Sequence, residues 1–198
     1  MEKKFILTDK FVINSFGIKL FQIKCTKSFK YAQKGDFGGY VEKEGNLDQE
    51  NDAWVFGNAR VFGNARVSSN ARVSGDAWVS DNALVSGDAW VSGNAWVSSN
   101  AWVSGDARVS GNAWVSGNAD IENDNEHCGF DGFGSCNRHT HAYMTKEKKV
   151  EIICGCFRGS IEEFEKKVEE THSGTVYEKQ YKSIINVIKI KFGLTDFT

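Results

Sequence analysis

The chain has 198 residues, 40% of them hydrophobic, and its 24 basic and 26 acidic residues give a net charge of -2. This length allows one sizeable domain or a repeat body with small caps, and the balanced charge gives no basis for attraction to nucleic acid or to an anionic membrane. No stretch has the length and apolarity of a membrane span. We therefore expect a cytoplasmic protein that binds neither membranes nor nucleic acid.

Residues 1–38 are predicted to form an N-terminal β cap. Two runs with the composition of strands, residues 5–7 and 18–25, are separated by the turn-forming sequence Asn-Ser-Phe-Gly at 14–17. A β-hairpin is the simplest interpretation. Such a segment would cover the first coil of a repeat structure, where backbone groups would otherwise lack partners.

A six-residue repeat occupies residues 39–125. Alanine recurs every six residues from Ala53 to Ala119, with valine two places later as far as Val115 and Ile121 closing the series. In an extended chain, residues two apart point to the same side, so each Ala-x-Val is a short strand with its middle residue facing outward. Gly and Asn between these strands suit tight corners. Stacked coils would bury the Ala and Val side chains, which predicts a parallel β-helix.

The repeat is predicted to begin before its regular part. Counting back in sixes from Ala53 reaches Leu47 and Val41, and Gly45-Asn46-Leu47 has the same order as the later Gly-Asn-Ala. The β-helix should therefore start near Gly39.

The spacing of an aliphatic residue and a small residue four places later, as in Val55 and Ala59, resembles the left-handed β-helix family. This resemblance implies a triangular cross-section in which three hexads make one coil of 18 residues. The fold class expected is thus mainly β: a left-handed parallel β-helix of hexapeptide repeats with an N-terminal hairpin cap and a small C-terminal α/β module.

Further stretches resemble a group of hexapeptide-repeat proteins common in bacteriophages and prophages. They are Gly-Asp-Phe-Gly-Gly-Tyr-Val-Glu at 35–42, Gly-Cys-Phe-Arg-Gly-Ser-Ile-Glu-Glu-Phe at 155–164 and Glu-Thr-His at 170–172. The resemblance covers nearly the whole chain. It implies a phage or prophage protein that works in the cytoplasm of a bacterial host.

The outward positions of the repeat are the candidate binding residues. With an 18-residue coil, residues 18 apart stack in columns about 4.8 Å apart on one face. The columns are Trp54, Arg72, Trp90 and Arg108 on the first face; Arg60, Trp78, Trp96 and Trp114 on the second; and Arg66, Leu84, Trp102 and Asp120 on the third. Because tryptophan and arginine are enriched at binding hot spots, the tryptophans and the arginines of the first two faces are predicted to bind a partner. The alternative is that these planar side chains only stiffen the solenoid.

Residues 126–198 are predicted to form a C-terminal α/β module with two strands and two helices. The strands are expected within 140–144 and 149–154, after a glycine-rich connection at 129–135. Ser160 and Glu163 have the spacing of a capping box that opens the first helix, and the second should run from about 176 to 192.

Three chemical functions were weighed against this interpretation. Many left-handed β-helix proteins are acyltransferases with a catalytic histidine, and here His127, next to the last coil, would be the only plausible base. Zinc-type ligands lie at His127, Cys128, Cys136, His139, His141, Cys154 and Cys156, but their spacing matches no standard zinc finger. The stacked tryptophans could also bind sugar rings. We predict no catalytic residue, metal or cofactor.

The sequence therefore predicts a non-enzymatic phage or prophage protein that acts through protein–protein contacts. The expected partner is a host bacterial protein, with inhibition of a host defence protein such as a CRISPR effector as one role. The alternatives left open are an acyltransferase-like enzyme and a structural or self-assembling β-helix in which the partner is a second copy.

Overall fold

The computed structural model describes residues 2–194; residue 1 of the predicted cap and residues 195–198 of the predicted C-terminal module lie outside the described residues. The chain divides into two compact units, residues 1–123 and 124–198. This division falls two residues before the boundary expected from the end of the repeat, and the cap lies in the same unit as the solenoid.

The N-terminal segment forms the expected hairpin. Strand β1 (Phe5–Ile13) pairs antiparallel with β2 (Lys19–Cys25), and β2 pairs antiparallel with β3 (Phe37–Val41). Strand β3 then pairs in parallel with β5 (Arg60–Val61) of the solenoid. The hairpin therefore extends one sheet of the repeat body through continuous backbone hydrogen bonding.

The repeat forms a parallel β-solenoid of about five turns, so the predicted fold class is confirmed. Each strand contains two residues, the outward one and the valine or isoleucine after it. They are β4 (Trp54–Val55), β5, β6 (Arg66–Val67), β7 (Arg72–Val73), β8 (Trp78–Val79), β9 (Leu84–Val85), β10 (Trp90–Val91), β11 (Trp96–Val97), β12 (Trp102–Val103), β13 (Arg108–Val109), β14 (Trp114–Val115) and β15 (Asp120–Ile121).

Three parallel sheets make up the sides of the solenoid. The first face has the order β4-β7-β10-β13, the second β3-β5-β8-β11-β14 and the third β6-β9-β12-β15. Every pair among β4 to β15 joins residues 18 apart, such as Trp78 with Trp96. The 18-residue coil inferred from the family resemblance is thus the coil of this solenoid.

The interior contains the alanine and valine side chains of the repeat, all of them buried. Burial of a valine side chain contributes about 1.5 kcal/mol or more. Each coil also donates two strand hydrogen bonds to the next on each face, as in Trp78 N to Ala95 O and Ser80 N to Val97 O, both 2.9 Å. Apolar burial and the backbone ladder therefore reinforce the same stacking.

The first coil differs from the others. Val41 pairs with Val61, and Leu47 forms a bridge with Val67, so these partners are 20 residues apart. The prediction that Val41 and Leu47 point inward is right, but counting back in sixes placed them at alanine positions, whereas they stack on valines. The additional two residues fall between Leu47 and Ala53, where the Gln49 side chain hydrogen-bonds to the backbone of the N-terminal segment at Phe5.

The C-terminal unit is an antiparallel sheet of four strands with two helices. The strands are β16 (His127–Phe133), β17 (Arg138–Met144), β18 (Val150–Cys154) and β19 (Phe157–Ser160), in that order; the helices are α1 (Ile161–His172) and α2 (Val176–Lys191). The core packs the helices on the sheet through Ile152, Phe164, Tyr181, Ile184 and Ile188.

The prediction of only two strands was wrong. Residues 129–133 belong to β16 although they contain two glycines, because Gly129 lies beside the His139 ring, where an added Cβ would stand 2.7 Å from Cε1. The capping box is confirmed: the Ser160 hydroxyl accepts from Glu163 N, and the Glu163 carboxylate accepts from Ser160 N. Neither helix of the described residues has the length and apolarity needed to cross a membrane.

Candidate functional site

The predicted columns of outward side chains lie where the 18-residue coil puts them, but their surroundings differ from face to face. Trp54, Arg72, Trp90 and Arg108 occupy successive strands of the first face. Arg60, Trp78, Trp96 and Trp114 do so on the second face. Trp102 lies between Leu84 and Asp120 on the third.

The N-terminal segment covers the beginning of the first face. Trp54 is only 1% exposed, because Phe5 and Phe29 pack edge-on against its ring at 6.3 and 5.3 Å between centroids. The prediction of Trp54 as a partner-binding residue is therefore wrong. Trp54 points away from the solenoid interior as expected, but into a second small core made with the cap.

The next residues of the first face are partly covered as well. The Arg72 guanidinium lies over Tyr31 of the cap and over Trp90, at 5.4 and 4.8 Å from the ring centroids. Such contacts contribute about 0.5–1 kcal/mol each at exposed sites. The predicted alternation of indole and guanidinium is thus present. Trp90 is the one indole of this face that solvent reaches, with 38% of its surface exposed.

The second face has a continuous aromatic column. Arg60 lies over Trp78 at 5.1 Å, Trp78 meets Trp96 edge-on at 6.1 Å, and Trp96 stacks on Trp114 at 5.4 Å with only 4° between the planes. Phe16, at the tip of the hairpin, reaches this column and contacts the rings of Trp78 and Trp96 at 6.1 and 6.4 Å.

Phe16 is exposed to 58% of its surface, although Phe62 packs beneath it at 6.1 Å. A groove of about 440 Å³ lies between this phenylalanine and the column, lined by Ser15, Phe16, Asp76, Trp78, Asn94 and Trp96. We call these six residues the aromatic groove. Sequence reasoning missed Phe16, and the only signal for it was an aromatic residue in a turn that otherwise holds small and polar residues.

The corner residues beside the groove form polar ladders. Asn94 Nδ2 donates to Asn112 Oδ1 at 3.2 Å, and Asn64 donates in the same way to Asn82. Asp76, which the sequence suggested only as a turn former, takes part in no side-chain hydrogen bond or ion pair within residues 2–194. Its exposed carboxylate is the one charged group that lines the aromatic groove.

A second regular contact fixes the indole rings. The Nε1 atoms of Trp90, Trp96 and Trp102 donate to Ser74, Ser80 and Ser86, each 16 residues earlier, at 2.9, 3.1 and 3.4 Å. For Trp78 this position is Phe62, which packs edge-on against the indole at 5.8 Å. Trp78 therefore brings to the groove an indole N–H for which the described residues provide no acceptor.

The remaining predicted tryptophans are accessible. Trp102 on the third face and Trp114 at the end of the second are 42% and 37% exposed. The structure therefore distributes the predicted contact residues over three faces. Only the second face combines consecutive indoles with a groove built from the cap.

The histidines of the C-terminal unit form a separate cluster. His127 Nδ1 lies 3.1 Å from His141 Nε2, and His139 Nδ1 lies 2.8 Å from Asp131 Oδ1. His127, the candidate acyltransferase base, is thus engaged with another imidazole. Within residues 2–194, no three His, Cys, Asp or Glu side chains are grouped so that they could hold a metal ion.

The comparisons with known proteins concern the repeat body. The family profile described as YdcK Beta solenoid repeat matches residues 53–69, 65–81, 77–93 and 101–117, three of which overlap in sequence. A search of curated proteins finds no match to the chain. The matched residues include β4 to β10 and β12 to β14 of the solenoid. The body of this chain is thus built from repeats similar to those of the YdcK β-solenoid.

Proposed function

We propose that the protein is a non-enzymatic binding protein that holds a partner protein on the second face of its solenoid, at the aromatic groove. The observation that carries this proposal is the position of Phe16. A phenylalanine with more than half of its surface exposed, set over Trp78 and Trp96, forms an apolar patch of the kind that marks interaction sites. Tryptophan at such a position is typical of binding hot spots.

The polar groups of the groove indicate what the partner should contribute. Asp76 is the only charged residue of its lining, and the indole faces of Trp78 and Trp96 attract cations through their quadrupoles. A lysine or arginine on the partner could contact the rings and the carboxylate together. The partner surface should therefore combine an apolar residue for Phe16 with a cation for Asp76.

The class of partner follows from the sequence resemblance. Phage and prophage proteins with these repeats would meet the proteins of a bacterial host, in its cytoplasm. We include in the proposal that the partner is a host protein, with a defence protein such as a CRISPR effector as the specific case.

A capture experiment from bacterial lysate tests the proposal. The immobilised full chain is compared with the double variant Phe16→Ala/Trp96→Ala and with Trp90→Ala, which removes an exposed indole of the first face as a matched control. Proteins that bind the wild type and Trp90→Ala but not the double variant support the proposal. Equal recovery by all three, or no protein above the bare matrix, contradicts it.

Two measurements then separate the remaining possibilities. With the captured protein purified, Asp76→Asn should weaken binding about tenfold, as expected for loss of a hydrogen bond between charged groups. Light scattering of the full chain alone tests the self-assembling alternative. A dimer that the double variant abolishes would identify a second copy as the partner and would replace the host protein in the proposal.

A further inference from the structure

The C-terminal unit contains a cavity that the proposed function leaves unused. Its volume is about 200 Å³, and it lies where helix α1 packs against the sheet. Its lining residues are Arg138, Cys154, Cys156, Phe157, Phe164, Lys167, Val168, Thr171, His172 and Tyr181. Two stretches of sequence that stood out for their resemblance, residues 155–164 and 170–172, thus meet at one cavity.

The floor of this cavity is apolar. Phe164 and Val168 are buried, Phe157 packs against Phe164 at 5.0 Å between ring centroids, and Tyr181 meets Phe164 edge-on at 5.6 Å. A hydrocarbon group placed here would exchange water for aromatic and aliphatic contacts.

The rim is cationic. Arg138 and Lys167 line the cavity together with His172, and no carboxylate is among the lining residues. Lys167 is 3.6 Å from Glu170 of its own helix, a spacing of three residues on an exposed surface, where such pairs are weak. Arg138 makes no ion pair with any side chain of residues 2–194.

The backbone holds the arginine close to the cavity. Gly155 has φ +60°, and a Cβ at this position would stand 2.6 Å from Arg138 Nη1. The absence of a side chain at Gly155 therefore lets the guanidinium lie against the turn between β18 and β19. A planar guanidinium held in this way is suited to bidentate binding of a carboxylate.

The tyrosine supplies a neutral hydrogen-bonding group. Its hydroxyl lies 3.7 Å from Cys154 Sγ, and burial, with this thiol, raises the pKa of Tyr181. The phenol therefore keeps its proton, and His172 stacks on its ring at 5.5 Å.

From this combination we infer that the cavity of the C-terminal unit is a binding site for a small carboxylate with a short hydrocarbon part. The hydrocarbon packs on Phe157, Phe164 and Val168, and the carboxylate is bound by Arg138 and Lys167. The same chemistry occurs in a free organic acid and in the C-terminal residue of a peptide. The small volume favours the free acid, because a peptide must continue out of the cavity.

Binding is tested on the full chain with 3-phenylpropionate as the probe, followed by nuclear magnetic resonance or calorimetry. The neutral isostere 3-phenylpropanamide tests the charge, and a peptide that ends in phenylalanine with a free carboxylate tests the second source. We expect saturable binding of the acid, at least about tenfold weaker binding of the amide, and weaker binding of the peptide. Tighter binding of the peptide would replace the free acid as the ligand.

Variants test the assignment of the rim. Arg138→Gln and Lys167→Gln should each weaken the acid about tenfold or more, whereas Lys166→Gln, exposed on the same helix and outside the lining, should bind like the wild type. A second measurement does not depend on the variants folding. The bound acid should slow alkylation of Cys156, which lines the cavity, and leave that of the exposed Cys136 unchanged.

The site is overturned if the amide binds as tightly as the acid, if Lys166→Gln weakens binding as much as Arg138→Gln does, or if none of the probes gives a saturable signal at millimolar concentration. Unchanged alkylation of Cys156 at saturating acid would also place the acid elsewhere.

Discussion

The first and second faces of the solenoid have the same kinds of outward side chain but different surroundings. On the first face, Phe5 and Phe29 bury Trp54, and Tyr31 covers Arg72. On the second, the cap contributes only Phe16, which leaves Trp78 and Trp96 beside an open groove. The repeat thus determines where each side chain stands, whereas the non-repeating cap determines which of them solvent and partners reach.

The largest effect that would separate the two faces is on stability. Trp54→Ala should lower the free energy of unfolding by about 3–5 kcal/mol, since it opens a cavity between the cap and the first coil. Trp90→Ala, in the same column but partly exposed, should cost about 1 kcal/mol or less. Urea denaturation of both variants measures the difference. Equal losses would mean that the cap does not cover Trp54 in solution.

A charge buried under the cap gives the second prediction. The Lys4 ammonium donates to the carbonyl oxygen of Ala53 at 2.9 Å, and burial lowers the pKa of Lys4 from 10.5 to about 8, against the opposing effect of Asp48 and Asp52. Below pH 8 the folded and unfolded chains both carry this proton. Between about pH 8 and 10.5 only the unfolded chain does, so the contribution of Lys4 to stability rises with pH.

The size of this rise should be on the order of 1–3 kcal/mol. It is measured as the difference between wild type and Lys4→Met in urea denaturation across that pH range, which cancels the titration of other groups. If the two curves run parallel, Lys4 is solvated and the cap is looser than the structure has it.

The hydrogen bonds between indoles and serines give a smaller effect. Ser80→Ala should lower the free energy of unfolding by about 0.5–1.5 kcal/mol, because Trp96 Nε1 loses its acceptor in a buried position. The corresponding first-face variant, Ser74→Ala, affects a more exposed bond and should cost less. Thermal or urea unfolding of the two variants shows whether the second face is the better packed. The opposite order would contradict this.

The smallest effect on stability is expected at the groove itself. Phe16→Ala should change the free energy of unfolding by no more than about 0.5 kcal/mol, since most of its ring is exposed. Partner capture by the same variant should nevertheless fall. A large loss of stability would show that Phe16 is a structural part of the cap.

Most of the repeat body could be predicted from sequence because its information is local. Ala53 and Val55 repeat with a period that leaves one geometry in which they are all buried, and the 18-residue columns follow from it. The shift at Val41 and Leu47 could not be seen, because the two additional residues lie in a corner with no apolar pattern. Ser69, Asp81 and Ser99 adopt positive φ at corners where the other coils have glycine, so corner identity alone is a weak guide.

The burial of Trp54 and the position of Phe16 depend on contacts distant in sequence. Phe5 and Trp54 are 49 residues apart, and no periodicity relates the hairpin to the coils. In the C-terminal unit, Ser160 and Glu163 revealed the start of α1 through local capping chemistry. The strand at 127–133 was missed because its glycines are required by the neighbouring His139 ring, a tertiary constraint.

The constant separation of 18 residues between stacked strands has a consequence for how such a chain can change length. Removing or duplicating 18 residues within the regular coils would shorten or lengthen the body by one layer, about 4.8 Å, and keep every downstream side chain in its column. Removing six would rotate all later outward residues by one side and exchange tryptophans for arginines along each column. Viable lineages of this protein should therefore differ in whole layers, and their length becomes a quantised trait.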